Sequence, residues 1–592
     1  MPGCYSEVQK QLNCKLVLNQ NVLPAKKGTR MKKIIVIGGS AAGPKAAARA
    51  RRLDEHAEVT IIQKSPELSM ASCGYPYYVG GFFDDRNQLL CTPAGVVRDP
   101  KFFMAAKNII ARTSTEAISI DRKKKVVVVE DLNSRKTEEL PYDKVILATG
   151  ARPRMPKVPG IELEGITTLQ SMQDADFLRK IADEKKIKKA VVIGGGLIGI
   201  ETCEALHLAG IEITVVEMLP QLLSFLDMEI AKLVENHVRS KGANVMSNNG
   251  LEAFLGKDGK LTGIKLQNGA ELECQLAIIA IGVIPNSDLA GRIGLEVGPT
   301  GGIIVDKHMQ TSDPDIYAVG DCVETYQRLT GKKVLAPYGD LANLQGRVAG
   351  ENAIVGNVKE FPGTIQTGIC KVFDFAAGST GLSERAARAN GFDFETVINA
   401  SPDKPGFMKG QLLVTKLVAD RKNRKILGAQ CVGPGDVAKQ IAQWAMAIQG
   451  GLTVDDMVNA DLPYAPPFSL AIDHGIATAH LMQNKLDGLM QGISTTELKQ
   501  LIDSGNSPFI LDTRGPDEYD MMRLGIGEQL IPLGAVRKRL NELPQDKNAP
   551  IVCYCKISLR GYEAARLLVQ HDYTNVKVME GGIMAWPFPR EK

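Results

Sequence analysis

Twice in this chain a short apolar run breaks into a glycine-rich turn and resumes as a helix. No other feature constrains the fold as tightly. Lys33-Ile34-Ile35-Val36-Ile37 leads into Gly38-Gly39-Ser40-Ala41-Ala42-Gly43 and an alanine-rich helix from Pro44 to Leu53, with Glu58-Val59-Thr60-Ile61-Ile62-Gln63 as the next strand. Ala190-Val191-Val192-Ile193 leads into Gly194-Gly195-Gly196-Leu197-Ile198-Gly199, and Ile213-Thr214-Val215-Val216-Glu217 closes the second unit. A strand, a tight turn, a helix and a parallel strand set backbone N–H groups at a helix start, where a phosphate binds. The first turn is imperfect: Ser40 replaces the middle glycine, and Gln63 stands where an acid ordinarily holds a ribose. The second turn keeps Gly194, Gly196 and Gly199, and Glu217 follows Gly194 by 23 residues. That acid accepts hydrogen bonds from both ribose hydroxyls and repels a 2′-phosphate, which selects NADH over NADPH.

Two further strand-to-turn segments accompany these units. Tyr142 to Leu147 is an apolar strand ending in the small-residue turn Ala148-Thr149-Gly150, and Ile316-Tyr317-Ala318-Val319-Gly320 ends at Asp321. A length of 592 residues implies three or four domains rather than one core. Net charge is only +4, with lysine and arginine spread along the chain, so no basic field argues for nucleic acid. The eleven cysteines form neither a disulfide framework nor a zinc-ribbon spacing, which indicates a reducing, cytoplasmic setting and no metal site. No apolar run reaches the roughly 18–20 residues of a membrane helix. Residues 1–30 lack the apolar core of a signal peptide and read as an extension of unknown role.

In this order, the two dinucleotide turns, the Ala148-Thr149-Gly150 turn and the Tyr317-to-Asp321 segment resemble the flavin-dependent pyridine nucleotide–disulfide oxidoreductases over roughly residues 32–480. The resemblance implies two Rossmann-like domains: an FAD-binding domain from 31–155 and 285–358, and an NADH-binding domain from 156–284. It places FAD against Gly38 to Gly43, Gln63, Ala148, Thr149, Gly150, Asp321 and Ala342, and NADH against Gly194, Gly196, Gly199, Glu217 and Gly282. Leu341 to Arg347 corresponds to the helix near the isoalloxazine.

Ser72-Cys73-Gly74-Tyr75-Pro76-Tyr77-Tyr78 discriminates within that family. Cys73 has no second cysteine four or five residues away. The stretch resembles the single-cysteine branch of coenzyme A disulfide reductases, NADH-dependent persulfide reductases and NADH oxidases. A lone thiolate beside a flavin forms a mixed disulfide with a thiol, becomes a persulfide, or is oxidised to a sulfenate. The resemblance implies a homodimer built on residues 359–480, with Tyr464 of Asp461-Leu462-Pro463-Tyr464 reaching the active site across the dimer. Arg52, Ser69, Tyr75, Tyr77 and Lys404 are the implied substrate contacts. Lys404 stands in place of an aromatic hydroxyl, which points toward an anionic substrate such as a polysulfide or persulfide. Cys91, Cys203, Cys274, Cys322, Cys370 and Cys431 lie in or beside apolar segments and read as packing residues.

Residues 481–492 read as a linker, and a new unit begins at Ile493 with the helix-capping Ser494-Thr495-Thr496-Glu497. Pro550 to Tyr554 is a strand that runs through Cys555 into a loop and the helix from Gly561. Residues 493–592 resemble a rhodanese domain. Cys555 then carries sulfane sulfur, Arg560 closes its loop, Ser558 replaces a common glycine, and Cys553 is core. A loop of converging N–H groups at a helix start lowers a thiol pKa and steadies a persulfide anion. Taken together, these features predict an FAD-dependent NADH:persulfide or polysulfide reductase that uses Cys73 and a Cys555 carrier, with coenzyme A as substrate or bound ligand. Coenzyme A disulfide reductase and NADH oxidase remain alternatives.

Overall fold

The computed structural model describes residues 31–591. The extension over residues 1–30 lies outside the described residues. Continuous Val and Ile runs make strands buried on both faces, so the two nucleotide units are built on parallel sheets. In the first, Ile316–Ala318, Lys144–Leu147, Lys33–Ile37, Glu58–Ile62 and Ile110–Arg112 lie side by side, all parallel. In the second the order is Asn244–Met246, Glu212–Val216, Lys189–Ile193, Leu276–Ile279 and Ile166–Thr167, again parallel. Each unit also carries a three-stranded antiparallel meander, so the internal repeat extends beyond the glycine turns. Ala151–Pro153 and Val283–Pro285 pair where the chain crosses between the units.

The first helix, Ala42–Leu53, packs on Gly339–Val355 through small residues. A Cβ on Gly346 would stand 2.4 Å from the Ala42 carbonyl oxygen, and one on Gly350 2.3 Å from that of Ala46. Neither position admits a side chain without separating the helices. The third unit is an antiparallel sheet in the order Gly368–Val372, Phe375–Gly381, Ile426–Gly433, Leu412–Asp420 and Phe394–Pro402, covered by the helices Val437–Gly450 and His474–Leu486. Buried Lys416 joins this sheet to the second nucleotide unit, with Nζ 2.6 Å from Glu229, 2.6 Å from Glu384 and 3.3 Å from Asp227. Burial opposes its charge, but the three carboxylates outweigh that and hold the ammonium above its usual range.

The expected linker is mostly ordered structure. Helix His474–Leu486 runs through its first half, and Gly492–Ile493 is already a strand paired with Val578 and Met579. Ile476, Ala479, Met482 and Leu486 recur at three- and four-residue spacing and face the core, which holds the helix against its polar composition. Only residues 487–491 lie between the two elements. The last unit is a parallel sheet in the order Gly492–Ile493, Val576–Met579, Ile551–Tyr554, Phe509–Asp512 and Gln529–Leu530. Its first helix, Thr495–Asp503, begins with the expected capping box of Ser494 and Glu497. Among the described residues no helix is long and apolar enough to cross a membrane.

Candidate functional site

The two glycine turns are the same construction. Gly38 has φ +115°, and a Cβ there would lie 2.0 Å from the Ala148 oxygen; Gly194 has φ +107°, with its Cβ 2.4 Å from the Ala280 oxygen. Cβ atoms on Gly43 and Gly199 would stand 1.8 and 2.0 Å from the oxygens of Gly38 and Gly194. Only glycine permits these approaches. Gly39 N–H donates to Gln63 Oε1 (2.7 Å), and Gly195 N–H donates to Glu217 Oε2 (2.7 Å). Gln63 therefore occupies the acid's position, and its amide nitrogen donates to Ser65 Oγ (2.6 Å). Glu217 Oε1 accepts from Leu219 N–H (2.8 Å), leaving lone pairs on both oxygens for ribose hydroxyls. Neither helix start has a side-chain cap, at Ala41 or at Gly196, so the first amides remain available to a phosphate. Around Gly150 and Gly282, both at positive φ, the space is open. Ser40 tops the first turn and is exposed, while Ala42 packs inward. Thr149 Oγ1 donates to the Asn286 carbonyl (2.6 Å), tying its turn to the crossover strand.

Asp321 lies beside the first turn. Gly320 sits at φ +81°, its Cβ position 3.3 Å from Ala42 and 3.7 Å from Ala342, and its N–H donates to Gln345 Oε1 (2.7 Å). Burial pushes the Asp321 carboxyl up to about 6. Among the described residues none donates to this half-buried carboxylate, so its oxygens are open to a hydroxyl-bearing ligand. With the open amides and the glycine cradle, the first unit fits FAD.

Cys73 occupies a single turn, Ser72–Gly74, ahead of the short helix Tyr75–Val79. Its Sγ is 3.8 Å from where a Gly339 Cβ would stand, at the start of helix Gly339–Val355. Cys73 reaches solvent, yet burial on its other side raises the thiol pKa, and the charges of Glu201, Asp321 and Asp340 add to that. Tyr77 OH donates to Glu201 Oε1 (3.2 Å), and burial pushes the Glu201 carboxyl up to about 7. Ser69 adopts φ +52° and donates its N–H to the Gly39 carbonyl (2.6 Å), which ties the Cys73 stretch to the first turn.

Tyr75 is a correction. It is 1% exposed, packed in the core with its hydroxyl donating to Met70 Sδ (3.0 Å), so it cannot touch a substrate. Alternation of small and aromatic residues gave no sign of which tyrosine turns inward. Arg52 is exposed in the last turn of its helix, ten residues from Ala42 and so about 15 Å along the axis from the glycine turn. Lys404 is partly exposed in the turn between Phe394–Pro402 and Leu412–Asp420, and Tyr464 is 56% exposed. No described contact joins either to Cys73 within one chain.

Cys555 follows strand Ile551–Tyr554 and is 1% exposed. The amides of residues 556–560 have no backbone acceptor, and helix Leu559–Val569 begins without a side-chain cap. Ser558 adopts φ +85°, the region that favours glycine, and holds it with Oγ donating to the Met579 carbonyl (3.2 Å). Arg560 closes the loop through a two-pronged ion pair with Glu518 (2.6 and 2.8 Å). Glu518 first, and the Cys555 sulfur beside it, hold the guanidinium above its usual range. Cys553 is sealed in the core, where burial pushes its thiol far up. Glu201, Gln345 and Glu518 are functional candidates that sequence reasoning did not single out, since each acts on a partner distant in the chain. Among the described residues no group of His, Cys, Asp and Glu is arranged to hold a metal.

A family model for pyridine nucleotide-disulphide oxidoreductases matches residues 32–335, its dimerisation domain matches 367–475, and a rhodanese-like domain matches 494–587. A solved NAD-dependent persulfide reductase from A. fulgidus is 43% identical, with a TM-score of 0.89 over 94% of this chain and 100% of its own. The NAD(P)H coenzyme A polysulfide/persulfide reductase of Pyrococcus horikoshii is 33% identical over 76% of this chain and 98% of its own length. An NADH oxidase of Methanocaldococcus jannaschii is 32% identical over 74% of this chain and 95% of its own.

Proposed function

The chain belongs to the pyridine nucleotide-disulphide oxidoreductases, with their dimerisation domain and a rhodanese-like domain, and we propose that it is an FAD-dependent NADH:persulfide or polysulfide reductase that releases hydrosulfide. One observation carries this reading: a lone reductase cysteine, Cys73, shares the chain with a second cysteine, Cys555, set among free amides. A disulfide reductase has no evident need of such a sulfane carrier, and an oxidase has none.

Cys73 attacks the sulfane sulfur of a persulfide R–S–SH. A thiolate leaves, and Cys73 holds the persulfide. FAD, held by the first turn and Asp321, supplies the two-electron link between nicotinamide and sulfur. The electron pair breaks the Cys73 S–S bond, returning the thiolate and releasing hydrosulfide. Overall, NADH, a proton and R–S–SH give NAD⁺, R–SH and hydrogen sulfide. Glu217, which makes no ion pair among the described residues and would repel a 2′-phosphate, supports NADH as the donor. Coenzyme A, through its persulfide or disulfide, is the substrate thiol that best fits the names of the relatives. In the homodimer the partner's Tyr464 would complete the site, and Tyr77 with Glu201 would pass a proton to the leaving sulfur. The free thiols throughout the described residues suit the reducing cytoplasm.

The test is anaerobic NADH oxidation with polysulfide, coenzyme A persulfide and coenzyme A disulfide, run beside an aerobic assay in which oxygen is the only acceptor. Persulfide and polysulfide should turn over fastest with stoichiometric sulfide release, and Cys73→Ser should abolish it. Full activity in Cys73→Ser rules the mechanism out, and faster turnover of the disulfide or of oxygen selects one of the alternatives.

A further inference from the structure

The C-terminal unit meets the rest of the chain through a buried carboxylate. Glu580 is 3% exposed. Its Oε2 accepts from Ile398 N–H (2.9 Å), and its Oε1 lies 2.6 Å from Lys485 Nζ. Lys485 also donates to the Thr396 carbonyl (2.6 Å) and pairs with Glu395 (3.0 Å). Phe394–Pro402 is an edge strand, bonded to its sheet on one side only. Thr396 O and Ile398 N are thus outward groups two residues apart on an open edge, where an adjoining strand would ordinarily bond. Here a lysine and a glutamate take that place. Among the described residues the other ion pairs of residues 493–591 are internal to the unit.

The same segment holds the Cys555 loop. Glu580 precedes Gly581 and Gly582, and a Cβ on Gly582 would stand 2.5 Å from the Cys555 oxygen and 2.6 Å from that of Lys556. Ile583 N–H donates to the Cys555 carbonyl (2.9 Å), and Met584 N–H to that of Lys556 (3.2 Å). On the other side Ser558 Oγ donates to the Met579 carbonyl (3.2 Å). Ile557 of the loop, with Met584 and Ala585, packs on the apolar cluster shared with the reductase body. The docking contact and the sulfur-bearing loop are therefore two ends of one short, tightly bonded strut.

We propose that Glu580, paired with Lys485 on the open strand edge, is a positioning residue that sets the Cys555 loop for handing its sulfane sulfur to the reductase. This rests on the carrier role given above to Cys555. In the step, a thiolate, of Cys73 or of a small substrate thiol, attacks the outer sulfur of the Cys555 persulfide. The Cys555 S–S bond breaks, a new S–S bond forms on the attacking sulfur, and Cys555 leaves as a thiolate. No electrons are gained or lost until NADH reduces the product. Glu580 touches none of the reacting atoms; it fixes the angle at which the loop faces the body.

The experiment uses the full-length, FAD-loaded enzyme. Cys555 is loaded with polysulfide, free sulfur is removed, and NADH is added anaerobically with a small thiol while sulfide release is followed, with Cys555→Ser defining the signal from other sites. Glu580→Ala and Lys485→Met should each discharge Cys555 roughly ten-fold or more slowly, as a small misplacement of a reacting group does. Steady-state reduction of free polysulfide, which bypasses the carrier, should stay within about two-fold of wild type. Cyanide should strip sulfur from Cys555 at the wild-type rate in both variants, showing the loop folded. Lys485→Met acts from the helix side and reports docking without altering the C-terminal unit. Glu580→Gln, which keeps the acceptor for Ile398 N–H, should fall between wild type and Glu580→Ala. Discharge at the wild-type rate in both variants overturns the inference while leaving the carrier role intact. Failure of wild type to discharge Cys555, with polysulfide reduction normal, removes the carrier role and the inference with it.

Discussion

The charge of Glu201 helps to hold the proton on Cys73. The Glu201 carboxyl is lifted to about 7 by burial, opposed by the hydrogen bond from Tyr77 and aided by Glu204. Its folded value exceeds its unfolded one, so its contribution favours the fold below pH about 4.5 and is lost as pH rises through about 7, on the order of 3 kcal/mol. Its charge is the second cause, after burial, that raises the Cys73 thiol. Glu201→Gln should therefore shift Cys73 alkylation by iodoacetamide to lower pH and flatten the loss of stability between pH 5 and 7 (flavin-free protein, read by denaturation at a series of pH values). An unchanged alkylation midpoint would mean that Glu201 does not govern this thiol. Ser558 shows the opposite kind of residue. The chain accepts a strained φ of +85° there rather than give up the loop shape that frees its amides.

The helix pair Ala42–Leu53 and Gly339–Val355 carries the first nucleotide turn and the floor beneath Cys73 on one rigid block. Gly350→Ala would drive a methyl against the Ala46 carbonyl. We expect a loss of about 1–3 kcal/mol and weaker flavin retention, measured as flavin absorbance remaining after gel filtration; full retention would show that the helices part freely. Both glycine turns were legible in the sequence because their spacing is imposed by contacts within a few residues, such as Gly43 against Gly38. Gln63 was legible as a departure, and its structural equivalence to Glu217 follows from the shared amide bond. The helix across residues 481–486 was written in the spacing of Ile476, Ala479, Met482 and Leu486, but Gln483, Asn484 and Lys485 disguised it as a linker. Tyr75 was misassigned because one buried face decides its role, and that face is formed by Met70 and residues far along the chain. Lys485 and Glu580 meet across 95 positions, which no local pattern encodes.

At the scale of the whole molecule, the third unit leaves large apolar side chains in solvent. Phe468 is 72% exposed and Tyr464 56%, with Ile472 and Met446 also uncovered. A patch of this kind marks an association surface, and the dimerisation-domain match covers it through residue 475. Phe468→Asp should weaken the dimer by about 2 kcal/mol or more, roughly thirty-fold in dissociation constant, by sedimentation. Turnover should fall with the dimer under the proposed supply of Tyr464 by the partner; an active monomer would place the complete site in one chain. The helix that replaced the linker has a kinetic consequence. Residues 487–491 reach at most about 18 Å even if fully extended, so the C-terminal unit cannot wander. A tethered donor of that reach stands at an effective concentration in the millimolar range. Free sulfane sulfur in solution must approach that level before it competes. With Cys555 as the carrier proposed above, sulfide output below that level should follow how fast Cys555 is refilled rather than the concentration of the surrounding pool.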